Sequence, residues 1–262
     1  MDLELEGKRA LVLASSQGLG RGVAEALVAE GVNVCISGRS EDKLAQAAQE
    51  IAESGPGSVT HITCDLGQSG AAGTLFKGAM DLLGGIDILV NNTGGPPPGP
   101  VSGPDAETWR RQFDTMVLPV MELSALCIPA MAERRWGRVL TLASSGIIQP
   151  IPNLGMSNTL RSTLVGWSKT LSTEVASDGI TVNMLLPGRI HTDRVDQLDA
   201  AAAKRTGKTV DEVRTASRAA IPAGRYGRVE EFASVAAFLV SGKASYVTGS
   251  LIRCDGGAIK SI

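Results

Sequence analysis

A chain of 262 residues, 43% of them hydrophobic, is long enough to bury a large core as one α/β domain or two smaller ones. Its formal net charge of −2, without a basic cluster or long charge run, excludes the electrostatic footprint of a nucleic-acid or anionic-membrane binder. No apolar run is expected to reach the ~18–20 residues that span a bilayer. The opening Met1-Asp-Leu-Glu-Leu-Glu-Gly7 lacks a signal peptide's basic and apolar regions, so a soluble, cytoplasmic protein is expected.

Short apolar runs at 10–14, 33–37, 59–64, 86–91, 138–143, 181–186 and 251–254 read as strands. Amphipathic stretches at 19–30, 41–54, 70–83, 107–134, 158–177 and 230–239 read as helices between them. The strands are almost wholly apolar rather than alternating, as when helices cover both faces of a sheet. Crossovers of this length require parallel pairing, so the expected fold is a doubly wound, mostly parallel α/β sheet of about seven strands. No composition break divides it, and residues 1–262 are read as a single domain.

Local signals mark several boundaries. Pro104 after Gly103 suits a first helical position, and Thr209 with Glu212 reads as a capping box. Gly94-Gly-Pro-Pro-Pro-Gly-Pro100 is too rigid for a helix or inner strand; at the carboxyl end of a strand it is either a stiff connector or a pocket wall. The stretch 192–223, rich in alanine and charge and broken by Gly207, departs from the regular alternation. Cys35, Cys64, Cys127 and Cys254 have no metal-like spacing and read as free thiols, so no metal site is expected.

The chemistry is concentrated in three segments. The first strand runs through Leu13-Ala14-Ser15-Ser16-Gln17-Gly18-Leu19-Gly20 into a helix, a turn whose backbone N–H groups and helix N-terminus can face a diphosphate. Asn91-Asn92-Thr93-Gly94 follows the fourth strand, and Pro187-Gly188-Arg189-Ile190-His191-Thr192 follows the sixth. In that order the three segments resemble the short-chain dehydrogenase/reductase family along nearly the whole chain. The likeness is greatest to its 3-oxoacyl-acyl-carrier-protein reductase type, with a degenerate catalytic tetrad.

The resemblance implies a Rossmann fold, a homo-oligomer (tetramer or dimer) built through the long helices, and a dinucleotide cofactor. It assigns the phosphates to the turn holding Ser15, Ser16, Gly18, Leu19 and Gly20, where Ala14 replaces the family's first glycine. It assigns adenine to Asp65 and Leu66, further contacts to Asn91, Thr93 and Gly94, and the nicotinamide carboxamide to Pro187, Gly188, Ile190 and Thr192. The second strand ends in Gly38-Arg39, without the carboxylate that would repel a 2′-phosphate, which favours NADP(H) over NAD(H). A solvated helix-start arginine is the alternative reading of Arg39. The stretch 192–223 corresponds to the family's lid over the substrate, although a solvated helix pair explains it equally well.

The catalytic residues depart from the family. Val165-Gly-Trp-Ser-Lys-Thr-Leu171 sets the register, placing Ser157 at the tyrosine and Arg161 at the lysine of Tyr-x-x-x-Lys. Ser144 lies thirteen residues before Ser157, at the family's catalytic-serine spacing, and Met116 occupies the asparagine position. Only the serine is retained. A serine hydroxyl is shorter and less acidic than a phenol, and an arginine is a poor proton donor. Tyr226 and Tyr246 lie too far downstream to shift into register, and His191 and His61 read as solvated or structural.

The first reading is an NADP-dependent oxidoreductase moving hydride to or from a small carbonyl or alcohol, with a proton path through Ser157, Arg161 and water. The second is a catalytically weak or inactive NADP(H)-binding sensor or partner subunit. A lyase or isomerase that keeps the fold comes last.

Overall fold

The computed structural model describes residues 1–261. Seven strands, β1 (Arg9–Val12), β2 (Asn33–Gly38), β3 (Val59–Thr63), β4 (Ile88–Asn91), β5 (Gly137–Leu142), β6 (Ile180–Pro187) and β7 (Leu251–Cys254), form one sheet. The order is β3-β2-β1-β4-β5-β6-β7, and every neighbouring pair is parallel. Strand order reverses between β1 and β4, which opens a crevice at their carboxyl ends. Residues following β1, β4, β5 and β6 share that edge.

Both faces of the sheet are covered, which explains why its central strands are buried almost throughout and mostly apolar. On one face α1 (Gly18–Ala29), α2 (Glu41–Ala52) and α9 (Val229–Leu239) bury Val23, Leu27, Leu44 and Phe232 against Val12, Ile36 and Val90. On the other, α3 (Ala71–Leu83) and α5 (Leu118–Glu133) bury Leu75, Leu123 and Met131 against Leu11, Leu89 and Val139. A third cluster joins Met116 at the end of α4 (Ala106–Met116) to Met156, Leu160 and Leu164 of α6 (Gly155–Val175).

Three expectations need correction. The stretch 107–134 is two helices, separated at Val117, with Pro119 at the start of α5. A proline lacks the N–H that a continuous helix requires and crowds the carbonyl four residues earlier. The stretch Ala106–Glu133 is also apolar enough, by length and composition, to cross a membrane, contrary to the expectation that no run would be. Leu123, Cys127 and Met131 use that apolarity to fill the core. Finally, α4 starts after Asp105, whose carboxylate accepts the Thr108 N–H at 2.8 Å, so Pro104 precedes the cap instead of opening the helix.

The irregular stretch after β6 forms α7 (Asp193–Thr206) and α8 (Val210–Ala219), broken at Gly207. Thr209 and Glu212 make the expected reciprocal cap. Val195, Asp199 and Ala203 are buried on α7, whereas α8 buries no residue fully. Asp199 receives the Tyr226 hydroxyl at 2.9 Å and pairs with Arg189, tying α7 to the segment after β6.

Candidate active site

The turn after β1 is held tightly by its own residues. Ala14 lies at φ +46, a left-handed conformation disfavoured for a residue with a Cβ. Ser15 is fully buried: its N–H donates to Ser37 O at 2.9 Å, its hydroxyl donates to Val12 O at 2.7 Å and accepts the Ser37 N–H at 3.0 Å. Both polar groups of Ser15 are thus spent joining β1 to β2, and its contribution is the shape of the turn. Ser16, in the same turn, is half-buried, with Oγ 3.5 Å from where a Cβ on Gly38, the last residue of β2, would stand.

The start of α1 is open to an anion. Gln17 is extended and offers no side-chain cap, and no acidic residue occupies the first turn. The first N–H groups of a helix, here those of Gly18, Leu19 and Gly20, have no partner within it, and the dipole adds positive potential there. Gly20 is required sterically, because a Cβ would stand 2.7 Å from both Ala14 O and Asn92 Nδ2. Gly18 takes φ +62, which favours glycine, and a Cβ there would stand 3.9 Å from Thr192 Cγ2. The turn after β1 and the segment 187–192 therefore face one another across the crevice.

The other predicted cofactor residues occupy the same sheet edge in different ways. Arg39 is exposed beside Gly38, and a Gly38 side chain would meet only Leu44 and Ser16 at ordinary contact distance. Asp65 is exposed and accepts the Gly67 N–H at 3.1 Å, while Leu66 packs on the edge of the core. Asn91 is fully buried and donates to Ser124 Oγ at 3.1 Å, a bond that joins β4 to α5. Pro187 ends β6 and Gly188 follows it, with Gly188 N–H donating to Cys254 O at 2.9 Å. Ile190 is buried and bridges to Gly227, and the Thr192 hydroxyl donates to Ile190 O at 3.4 Å.

Ser144 follows β5 at the head of a short 3-10 turn (Ser145–Ile147), where its Oγ accepts the Gly146 N–H at 3.0 Å. Ser157 and Arg161 lie one turn apart on α6. The Arg161 guanidinium donates to Leu142 O at 3.4 Å, Thr93 O at 3.3 Å and Gly94 O at 3.2 Å, so it spans the ends of β5 and β4. Burial, with help from the nearby Arg194 charge, pushes Arg161 down to about 10, which leaves it charged at neutral pH. Met116 is 3% exposed within the α4–α6 cluster, so an apolar contact stands where the family carries an amide.

Among the described residues neither tyrosine bonds Ser144, Ser157 or Arg161. The Tyr226 hydroxyl is bonded to Asp199, and Tyr246 is wholly exposed. His191 is exposed and 3.6 Å from Asp196, whereas His61 bonds Glu41 at 2.7 Å. The four cysteines are unpaired, and no group of metal-ligating side chains occurs among the described residues.

Three contributors were not read from the sequence. Asn92 donates to Ala14 O at 3.1 Å and so ties the first turn to β4. Asn158 donates to Ile151 O at 2.9 Å and accepts its N–H at 3.3 Å, clamping the loop that begins at Ser144. Arg194, in the first turn of α7, donates to Pro96 O at 2.9 Å. The Asn91-Asn92 doublet was the only sequence signal for the first; Asn158 and Arg194 carried none.

Known proteins share this fold. The family profile described as enoyl-(acyl carrier protein) reductase matches residues 13–258. The 3-oxoacyl-[acyl-carrier-protein] reductase FabG of Salmonella typhimurium is 34% identical over 257 residues, covering 97% of this chain and 98% of the relative. Its counterpart in Escherichia coli is 33% identical with the same coverage. Among solved structures, L-sorbose reductase of Gluconobacter frateurii, complexed with NADPH and L-sorbose, matches at a TM-score of 0.94 and 29% identity, with both chains covered in full. YwfH, an NADPH-dependent reductase involved in bacilysin biosynthesis, matches at 0.92 and 28% identity over 97% of this chain and 99% of its own. The chain belongs to the short-chain dehydrogenase/reductase family, with the likeness of a 3-oxoacyl-acyl-carrier-protein reductase.

Proposed function

We propose that this protein is an NADP(H)-dependent oxidoreductase acting on a small carbonyl or alcohol, with the proton reaching or leaving the substrate oxygen by a route other than a tyrosine phenol. The observation that carries the reading is the uncapped N-terminus of α1 facing the segment 187–192, with Ser144 and Arg161 on the same sheet edge. When bound, the nicotinamide supplies or accepts hydride.

The chain's own groups divide the remaining work. The N–H groups of residues 18–20 would hold the diphosphate, Arg39 the 2′-phosphate, and Asp65 and Leu66 the adenine. Ile190, Thr192 and Gly188 would hold the carboxamide, while Thr93 and Gly94 would line the ribose side. The Ser144 hydroxyl would orient the carbonyl, and Arg161 would donate to the ribose and stabilise negative charge on the oxygen. Ser157 would relay a proton through water, since its hydroxyl is shorter than a phenol. The helices α7 and α8 over 192–223 would act as the lid, within a cytoplasmic homotetramer or homodimer.

The loss of a positioned general acid typically costs about 10²–10⁴-fold, so slow turnover is expected with an ordinary ketone. The test is NADPH oxidation against a panel of ketones, with NADP+ reduction against the matching alcohols. Substrate-dependent turnover that falls in Ser144→Ala supports the reading. Tight NADPH binding without turnover on any panel member would replace it with the sensor or partner-subunit reading, which the changes at Met116, Ser157 and Arg161 favour.

A further inference from the structure

Several arginines are paired with a carboxylate: Arg9 with Asp87, Arg21 with Glu25 and Glu50, Arg189 with Asp199, and Arg214 with Asp196. Arg161 and Arg194 are different. Among the described residues neither makes an ion pair, and the bonds they do make go to backbone carbonyls alone. Arg161 bonds the carbonyl of Gly94 and Arg194 that of Pro96, so the two guanidiniums grip the loop on either side of Gly95. A Cβ on Gly95 would stand 3.1 Å from Arg194 Nη2 and 3.5 Å from its Cζ, which puts that guanidinium directly on the loop.

Two like charges held on one short loop are costly unless something negative joins them. Burial lowers Arg194, and burial with the Arg194 charge lowers Arg161. Arg138 shows what a resolved unpaired arginine looks like. At the opposite, amino end of β5 it donates to the carbonyls of Gly137, Gly179 and Ser241 and lies 4.4 Å from the Trp136 ring centroid. Among the described residues Arg194 makes one such bond, which leaves N–H groups able to meet a ligand.

We propose that Arg161 and Arg194 form a carboxylate-recognition pair on the loop after β4, at the sheet edge that also carries Ser144, so that the substrate is an oxo acid rather than a neutral ketone. This rests on the reductase reading and narrows its substrate class. A planar fork matches a carboxylate bidentately, and the second guanidinium offsets the remaining charge. Three carbonyl contacts hold Arg161 and one holds Arg194, so part of the side-chain entropy is lost before a ligand binds.

The test is calorimetric titration, with and without NADP+, using pyruvate, 2-oxobutyrate, acetoacetate and phenylpyruvate, each beside its ethyl ester. At least one acid is expected to bind about 10-fold or more tighter than its ester. Arg194→Gln should bring the pair to within about 3-fold, and Arg194→Lys, which keeps charge but not the fork, should fall between. Absence of any acid preference in the unmodified protein overturns the proposal, as does a preference that survives Arg194→Gln. Weaker NADPH binding in Arg194→Gln with the acid preference intact would assign the pair to the cofactor's phosphates, and also overturns it. Acid preference without any NADPH oxidation would remove the reductase reading and leave this pair standing; ester turnover without acid preference would do the reverse.

Discussion

Gly20 gives the sharpest perturbation of the cofactor turn. In Gly20→Ala the new methyl would stand 2.7 Å from Ala14 O and 2.7 Å from Asn92 Nδ2, closer than a Cβ tolerates. The Asn92 amide can swing away, at the cost of its 3.1 Å bond to Ala14 O, worth about 0.5–1.5 kcal/mol. The Ala14 carbonyl is backbone and moves only with the turn, and such overpacking costs about 1–3 kcal/mol. Alanine's better helix propensity returns about 1 kcal/mol at this position, so the net loss is about 0.5–3.5 kcal/mol. For a chain of this size that lowers the melting temperature by roughly 1–14 °C. The opened turn also misaligns the N–H groups of residues 18–20, and NADPH should bind about 10-fold or more weakly.

Thermal unfolding gives the first quantity and fluorescence titration with NADPH the second. Gly18→Ala is the control, since a Cβ there meets only Thr192 Cγ2 at 3.9 Å and the expected cost is strain at φ +62, about 1–2 kcal/mol. Affinity in that variant should fall less than in Gly20→Ala. Unchanged stability and affinity in Gly20→Ala, or equal affinity losses in the two, would refute the steric account of the turn.

Other perturbations reach the remaining parts of the site. Gly38→Asp has room for its side chain beside Leu44 and Ser16, and its charge should weaken NADP+ by about 10-fold or more while NAD+ gains, measured by paired titrations. Ser144→Ala should lower kcat by about 10²-fold without changing NADPH affinity, and parallel loss of both would mean the serine only supports the fold. Glu231 is held down to about 2 by Arg225 and by the Arg228 N–H it caps. A depressed carboxyl contributes stability above its unfolded pKa, which is lost as pH falls toward 2. Glu231→Gln should therefore flatten the acid limb of a stability–pH profile below about pH 4.5, and an unaltered limb would dismiss that contribution.

The sheet was legible because its strands are nearly continuous apolar runs, such as Ile88–Asn91, and because glycine-rich or proline-rich turns separate them. The split at Val117 was not, since Pro119 sits where apolar residues on both sides continue the helical pattern. The site was legible where backbone does the work. Gly18 and Gly20 announce a turn by composition, and the order of the three loop segments places it. Ser15 shows the limit of such reading, because a hydroxyl in the turn after β1 can be spent entirely on Val12 and Ser37. Arg194 shows another. It reaches Pro96, ninety-eight residues earlier in the chain, and no local pattern encodes a contact made only when α7 folds over the loop after β4.

The most direct measurement is calorimetric titration of the unmodified protein with NADPH, NADP+, NADH and NAD+. One site per chain, filled by NADPH more tightly than by NADH, is the predicted result. No heat with any of the four at saturating concentration, together with an unchanged melting temperature, would contradict the claim that the turn between β1 and α1 seats a dinucleotide.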